Sequence, residues 1–330
     1  MLTEAIGRLK KGEDIGLELS KAVFDGMLNG KLNEDGVKEF LMLLSDKGES
    51  AEEIAGAVMS LKQHAVKLES LKKTLDTCGT GGDGKNTFNI STAAAIVCSL
   101  FVPVAKHGNR AISSKSGSYD ILKELGVAAD LGKKEAEVFL DRHNFVFLFA
   151  PNFHPAMKHV ANIRRKLSKR TIFNLIGPLS NPSDTYAQLI GVFSRAFLGV
   201  MFDASRILNM DNVAFVSSFD GLDEVSGSSK TKCFIRKNGI EEMFIFDPKE
   251  LNIEVGLDDI KGFDAKTNAN LLIEVFEGKH DKLSDAIALN AGFSLYIADV
   301  ADSIEDGFKL AKESIKNGKA KEKLDSLRSK

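Results

Sequence analysis

The sequence predicts an α/β protein: a small all-helical amino-terminal domain, then a larger α/β domain with a central, mostly parallel sheet. Three observations predict it. Over the first 65 positions apolar residues recur at helical spacing only. From Leu75 onward, short apolar runs alternate with helical patterns, the signature of a parallel sheet covered by helices. Asn238-Gly239 then joins two apolar runs as a hairpin, an antiparallel edge to that sheet. A chain of 330 residues suits two domains, placed at 1–70 and 71–330.

Leu2, Ile6 and Leu9 share one face of a first helix, and Ala22, Val23 and Met27 lie on a second that Gly30 is placed to end. Asn33 reads as the cap of a third helix bearing Val37, Phe40, Leu41 and Leu44, stopped at Gly48. Ser50 and Glu53 form a capping box for a fourth, carrying Ile54, Ala57, Val58 and Leu61. Four short amphipathic helices cannot hide every apolar face from water. Part of that surface is expected against a second domain or a second copy of the chain. In the larger domain Leu75–Cys78, Val102–Ala105, Phe145–Ala150, Leu189–Phe193 and Val213–Ser217 read as buried strands. Thr92–Phe101, Tyr119–Leu125, Lys134–Arg142 and Ala196–Leu208 read as the helices between them. The hairpin pairs Cys233–Arg236 with Met243–Phe246, and the chain turns helical again from about Leu283.

Composition narrows the function. Lys and Arg total 44 against 46 Asp and Glu, a net charge of −2, which argues against broad nucleic-acid binding. Three cysteines, Cys78, Cys98 and Cys233, are too few and too scattered for a disulfide framework or a Cys-rich zinc site. With no apolar run of membrane-spanning length and no basic-then-apolar leader, the expectation is a soluble cytoplasmic enzyme.

The densest chemical signal is GTGGDG, Gly79 to Gly84, followed by Asn89-Ile90-Ser91-Thr92. Four glycines in six residues after a strand make a loop whose backbone N–H groups can point at an anion. Ser91 and Thr92 open an Ala-rich helix there, adding hydroxyls at a positive helix end. The pattern is neither a Walker A loop nor a dinucleotide fingerprint. A structural turn is the bland alternative; the adjoining hydroxyls favour phosphate. Lys106-His107-Gly108-Asn109-Arg110 and Ser113 to Ser118 follow the next strand, where open α/β sheets bind ligands. A solvated basic loop would carry a Lys/Glu mixture, so an anion site is favoured here too. His154 and His159, five apart, do not align as metal ligands, and Arg164, Arg165 and Arg170 either bind an anion or pair with surface acids. Asp220 to Ser226 includes Asp223-Glu224 beyond a strand, a natural oxygen-ligand pair for a hard cation, meaningful because phosphate loops accompany it.

Together GTGGDG, NIST, KHGNR, SKSGS, HPAMKHV, RTIFN, GPLSNP and GLDEVS resemble the anthranilate phosphoribosyltransferases, in order and spacing across essentially the whole chain. The resemblance implies an active site in a cleft between the domains, a helical segment around 160–180 joining the first domain, and a homodimer through it. It implies transfer of the phosphoribosyl group of phosphoribosyl pyrophosphate (PRPP) to anthranilate with Mg²⁺, in tryptophan biosynthesis. A glutamine amidotransferase or anthranilate synthase partner is a further implication; nucleic acid and membrane are not. Carried over, Gly79, Gly82, Asp83, Thr87, Asn89, Ile90, Ser91 and Thr92 would hold PRPP. Lys106, His107, Gly108, Asn109, Arg110, Ala111, Ile112, Ser113, Ser114 and Ser118 would complete that cradle. Gly79, Asn109 and Arg164 would contact anthranilate, with His107, His154 and Pro178 lining its approach. Ser91, Asp223 and Glu224 would hold the metal. Cys78, Tyr119 and Asn162 depart from the pattern; none touches a proposed polar contact, so packing is affected and the chemistry is not. No side chain is assigned as general base; anthranilate's own ortho carboxylate can take the amine proton, and His107 is the nearest alternative. The rivals are a pyrimidine nucleoside phosphorylase, which typically carries an extra carboxy-terminal domain, and a non-catalytic nucleic-acid-binding relative, which would want a basic groove.

Overall fold

The computed structural model describes residues 1–70, 72–111, 115–167 and 169–328. In chain order, helices α1 (Leu2–Leu9), α2 (Gly16–Leu28), α3 (Glu34–Lys47) and α4 (Ala51–Gln63) precede strand β1 (Thr74–Gly79). Then come α5 (Ile90–Cys98), β2 (Val104–Gly108), α6 (Ser118–Glu124), α7 (Lys133–His143) and β3 (Phe145–Phe149). Helices α8 (Ala150–Phe153), α9 (Lys158–Lys166) and α10 (Phe173–Leu179) lead to β4 (Thr185–Gly191), α11 (Leu198–Ile207) and β5 (Asn212–Ser218). The hairpin β6 (Thr231–Lys237) and β7 (Ile240–Phe246) is followed by α12 (Ala265–Phe276), α13 (Asp281–Ile297), α14 (Ile304–Lys316) and α15 (Lys319–Leu327). The chain divides into two compact units: residues 1–67, 151–182 and 199–210, and residues 68–150, 183–198 and 211–330.

The first unit is helical, and its caps are those the sequence marks. Asn33 accepts the Gly36 N–H at 2.8 Å to start α3. Ser50 and Glu53 exchange both capping-box bonds at the head of α4. Glu53 does more than cap. Wholly buried, its second oxygen accepts the Ile15 N–H at 3.0 Å, and Lys47 neutralises it at 2.9 Å. The apolar surface expected to be left over is taken up within the unit by the segment that returns at 151–182. Phe173 of α10 packs edge-on against Phe24 of α2 at 5.6 Å, and among the described residues Met1 is this unit's one exposed large apolar side chain.

The second unit is built on a seven-stranded sheet in the order β3-β2-β1-β4-β5-β6-β7. Its first five strands pair in parallel, while β6 and β7 run antiparallel at the edge. Asn238 and Gly239 both take positive φ, 52° and 78°, as the tight hairpin requires. From β1 the chain winds one way to β2 and β3, then returns to the other side for β4 and β5. That reversal opens a crevice at the carboxyl ends of β1 and β4.

Two strands lie elsewhere than expected, with consequences for the site. β2 begins at Val104 and extends to Gly108: Pro103 has no N–H to give the ladder, while Lys106, His107 and Gly108 stay in register with Phe147, Leu148 and Phe149. Lys106 and His107 are therefore strand residues. β4 begins at Thr185, because Gln188 and Tyr186 find partners in Asp76 and Asp299. α5 starts at Ile90, so Ser91 and Thr92 lie in its first turn, and the carboxy-terminal helices begin at Ala265. All three cysteines are free, and among the described residues no helix is long and apolar enough to cross a membrane.

Ser50→Ala removes one capping bond and should cost about 1 kcal/mol. Glu53→Ala strands two backbone donors and takes one of two carboxylate partners from Lys47, and should cost about 2–4 kcal/mol. Urea unfolding followed by circular dichroism should give that order; equal losses would place the helical unit's stability elsewhere.

Candidate active site

The crevice is formed by the ends of β1, β2 and β4 and by the turn after β5. Gly79 ends β1, and Gly81, Gly82 and Gly84 take φ of 64°, 77° and 74°, a left-handed path that places the Gly81 N–H 2.7 Å from an Asp223 oxygen. Thr80 ties this loop to β4: its N–H donates to Gly191 O and its hydroxyl accepts from Phe193 N, both at 2.9 Å. Glycine is needed at Gly191 for space. A Cβ there would lie 1.5 Å from the Asp223 carbonyl oxygen, and one at Gly79 would lie 2.6 Å from the Asp223 carboxylate.

Three carboxylates thus crowd one corner. Burial pushes Asp223 up to about 6, and the charge of Asp83 adds to the rise, against the Gly81 N–H, which lowers it. Glu224 is raised further by burial and by Asp223 and Asp83, opposed by Lys106 and by the Ser91 N–H. The second oxygens of Asp83 and Glu224 are buried without a hydrogen-bond partner. A buried cation acts on Glu224 and on Asp76. Lys106 is 1% exposed; its ammonium donates to Thr77 O at 2.5 Å and Ser91 Oγ at 3.3 Å. Burial lowers its pKa, with Asp76, Cys78 and Glu224 pulling the other way. Among the described residues no three His, Cys, Asp or Glu side chains form a ready-made metal cluster. The pair Asp223 and Glu224 with the Ser91 hydroxyl is instead an incomplete set of oxygens, suited to a hard cation that brings water or phosphate as its other ligands.

The remaining cradle residues are distributed around this corner. Asn89 links α5 to the next loop through Ser116 O at 3.1 Å and accepts from Asn268 at 2.9 Å; Thr92 donates to Ser118 Oγ at 3.0 Å. Ile90 is buried, and Thr87 is bridged to Lys261. The His107 N–H reaches an Asp76 oxygen at 3.3 Å, and Gly108 lies where a Cβ would meet the Phe147 ring at 2.8 Å. Asn109 and Arg110 are exposed. The Arg110 guanidinium lies 4.4 Å over Tyr119 and 5.2 Å over Phe149, two rings stacked at 4.3 Å. Tyr119, expected to affect packing, therefore also holds Arg110, an arginine expected in the cradle, together with Phe149 of β3. Asn162 accepts from Arg165 and touches none of the expected site contacts. Ile112, Ser113 and Ser114 lie outside the described residues.

Arg164, His154 and Pro178 belong to the helical unit. Arg164 lies 4.9 Å over the Phe173 ring; burial lowers its pKa, and no carboxylate among the described residues pairs with it. His154 is buried and depressed to about 4, chiefly by burial and further by Lys62, so it is neutral at pH 7. Pro178 is buried inside α10.

Sequence reasoning missed two carboxylates. Asp120 accepts both Ala111 N–H and Gly117 N–H at 2.9 Å, closing the loop between them; its place in the first turn of α6 was the available signal. Asp76, a wholly buried carboxylate inside the run Leu75–Cys78, receives His107 and Gln188. A charge in a buried strand was its signal.

Comparison with known proteins puts one boundary between residues 65 and 71, with 151–182 and 199–210 inside the larger match. Residues 3–65 match the helical bundle domain, and residues 71–321 the a/b domain, of a glycosyl transferase family. The chain is 43% identical to anthranilate phosphoribosyltransferase of Pelagibacter ubique, over 98% of each chain. It is 44% identical to that of Caldicellulosiruptor saccharolyticus, over 99% of this chain and 98% of the relative. Among solved structures, anthranilate phosphoribosyltransferase from Thermus thermophilus superposes with a TM-score of 0.91 at 34% identity, covering 98% of this chain and 99% of that one. The Saccharomyces cerevisiae enzyme in complex with PRPP and Mg gives 0.89 at 28% identity, covering 99% and 96%. With both domains matched and identity above 40% along its length, the chain belongs to the anthranilate phosphoribosyltransferase family.

Proposed function

We propose that this protein transfers the phosphoribosyl group of PRPP to anthranilate, releasing pyrophosphate, as a step of tryptophan biosynthesis. The anthranilate nitrogen forms a bond to the anomeric carbon, the carbon–oxygen bond to pyrophosphate breaks with its electron pair leaving on pyrophosphate, and the amine gives its proton to anthranilate's own ortho carboxylate. The observation that carries the reading is the corner where Asp83, Asp223 and Glu224 crowd together beside a glycine loop, with the buried ammonium of Lys106 acting on Glu224. Family membership supports it, and so does the yeast relative seen with PRPP and Mg.

Asp223, Glu224 and Ser91 would hold Mg²⁺, which when bound supplies charge neutralisation for the departing pyrophosphate. Gly79, Gly82, Asp83, Thr87 and residues 89–92 would hold PRPP, with residues 106–114 and Ser118 completing the cradle. Lys106 keeps a positive potential there whose direction is set by two fixed bonds rather than by solvent. Asp120 closes the cradle loop, and Arg110 is held ready on its aromatic stack. Anthranilate's carboxylate is assigned to Arg164, a buried guanidinium with no carboxylate of its own, and Asn109 and Gly79 are assigned to the rest of the molecule. No side chain is assigned as general base. A cytoplasmic homodimer paired through the helical unit, with an anthranilate synthase or amidotransferase partner, completes the proposal; elution as a single chain would refute the dimer.

Anthranilate fluorescence should decay only when PRPP and Mg²⁺ are both present. Persistence in the complete mixture, or phosphorolysis of thymidine, would overturn the reading. Arg164→Ala should raise KM for anthranilate roughly 10–100-fold while leaving KM for PRPP within a few-fold; the reverse pattern would remove the carboxylate assignment. Replacing Asp223 by Asn and Glu224 by Gln should abolish Mg²⁺-dependent turnover and, without Mg²⁺, stabilise the protein. A carboxyl whose pKa is raised on folding binds its proton more tightly in the native state, so it costs stability as pH rises through its unfolded value of 3.8 toward about 6, and the cost persists above. The gain at pH 7 should be about 1–2 kcal/mol, allowing for solvent screening, and should vanish near pH 3; a loss of stability at pH 7 would refute the crowding.

A further inference from the structure

The turn that presents Asp223 and Glu224 is held from outside the site. Asn290 lies within α13, 3% exposed, between the buried apolar residues Leu289 and Ala291. Its Oδ1 accepts the Val225 N–H at 3.0 Å, and its Nδ2 donates to the Val225 carbonyl at 3.0 Å and to Ala286 O at 3.0 Å. One side chain 65 positions away thus satisfies both backbone groups of the residue that follows Glu224. Acceptor and donor are both used, so the amide has one orientation: turned over, it would face donor to donor and acceptor to acceptor.

The Gly81 N–H meets the Asp223 carboxylate at 2.7 Å and the Ser91 N–H meets Glu224, so the side chains are also held from the site, while the backbone between Glu224 and Ser226 is held by Asn290. Asp220 receives the hydroxyls of Ser218, Ser226 and Ser228, which shapes the turn but joins it only to itself. The Asp223 carbonyl rests against Gly191 by contact alone. A polar amide inside a helix core is costly unless its bonds are made, and here two of three go to the turn.

We propose that Asn290 is a positioning residue for the cation-binding pair: by pinning Val225 to α13 it sets where Asp223 and Glu224 present their oxygens. This rests on the reading of that pair as ligands for a divalent cation. Partners that orient ligands typically matter 10–100-fold in metal affinity.

The test is Mn²⁺ binding in the presence of PRPP, read from the electron paramagnetic resonance signal of free Mn²⁺, on the full chain. Asn290→Leu should weaken binding roughly 10–100-fold. Asn290→Ser, smaller and still able to make one bond, covers the case in which the leucine variant fails to fold, and should fall between it and the original. Leu289→Ala, a core truncation on the same helix, should lower Tm yet bind Mn²⁺ as the original does. Asp223→Asn with Glu224→Gln should not bind. If the Asn290 variants bind as tightly as the original while the double variant does not, this proposal fails and the ligand assignment stands. If Leu289→Ala weakens binding as much as Asn290→Ser, the effect is loss of stability and the proposal fails. If the double variant binds normally, the ligand assignment fails and takes the proposal with it.

Discussion

The site depends on a close approach of backbone. The turn after β5 comes so near the ends of β1 and β4 that Gly191 has no room for a Cβ beside the Asp223 carbonyl, nor Gly79 beside the Asp223 carboxylate. That approach brings Asp223 and Glu224 against the glycine loop and against Asp83. It happens at the place where the strand order reverses, and the reversal itself opens the crevice. Topology, glycine placement and carboxylate crowding are therefore one arrangement described at three scales.

The electrostatics of that corner are unbalanced. Asp83 and Asp223 both raise their neighbour Glu224, and the buried ammonium of Lys106, itself weakened by burial, opposes that rise at Glu224. Such crowding costs stability, and the proposed cation would relieve it. Lys106 is held by the Thr77 carbonyl and the Ser91 hydroxyl, so its ammonium is fixed within β2 instead of reaching out on a flexible stem. The same economy appears at Arg110, whose guanidinium rests on the Tyr119–Phe149 stack, and at Asp120, which holds both ends of the loop that follows.

Much of this was legible in one dimension, and the rest failed for identifiable reasons. The caps at Asn33 and Ser50, the hairpin at Asn238-Gly239 and the strand–helix alternation depend on neighbours within a few residues, so spacing reveals them. The limits of β2 and β4 were misplaced because Lys106, Gln188 and Tyr186 look like loop residues until partners from other strands and helices accept them. Tyr119 looked like a packing change because Phe149 lies thirty positions further on. Asp76 and Asn290 went unnoticed because buried polar residues announce themselves only by what they bind.

By itself, then, the sequence determined the two-part architecture and which loops carry glycines, hydroxyls and charge, since periodicity, caps and the order of motifs are local properties of the chain. Tertiary structure decided which of those loops share a corner, that Lys106 lies sealed within β2, and that Arg164 and His154 belong with the helices while the carboxylates belong with the sheet. The physical reason is range: a cap or a turn is settled by bonds spanning a few residues, whereas a shifted pKa, a glycine without room for a side chain, or an amide clasping a turn depends on atoms brought together from a hundred residues apart.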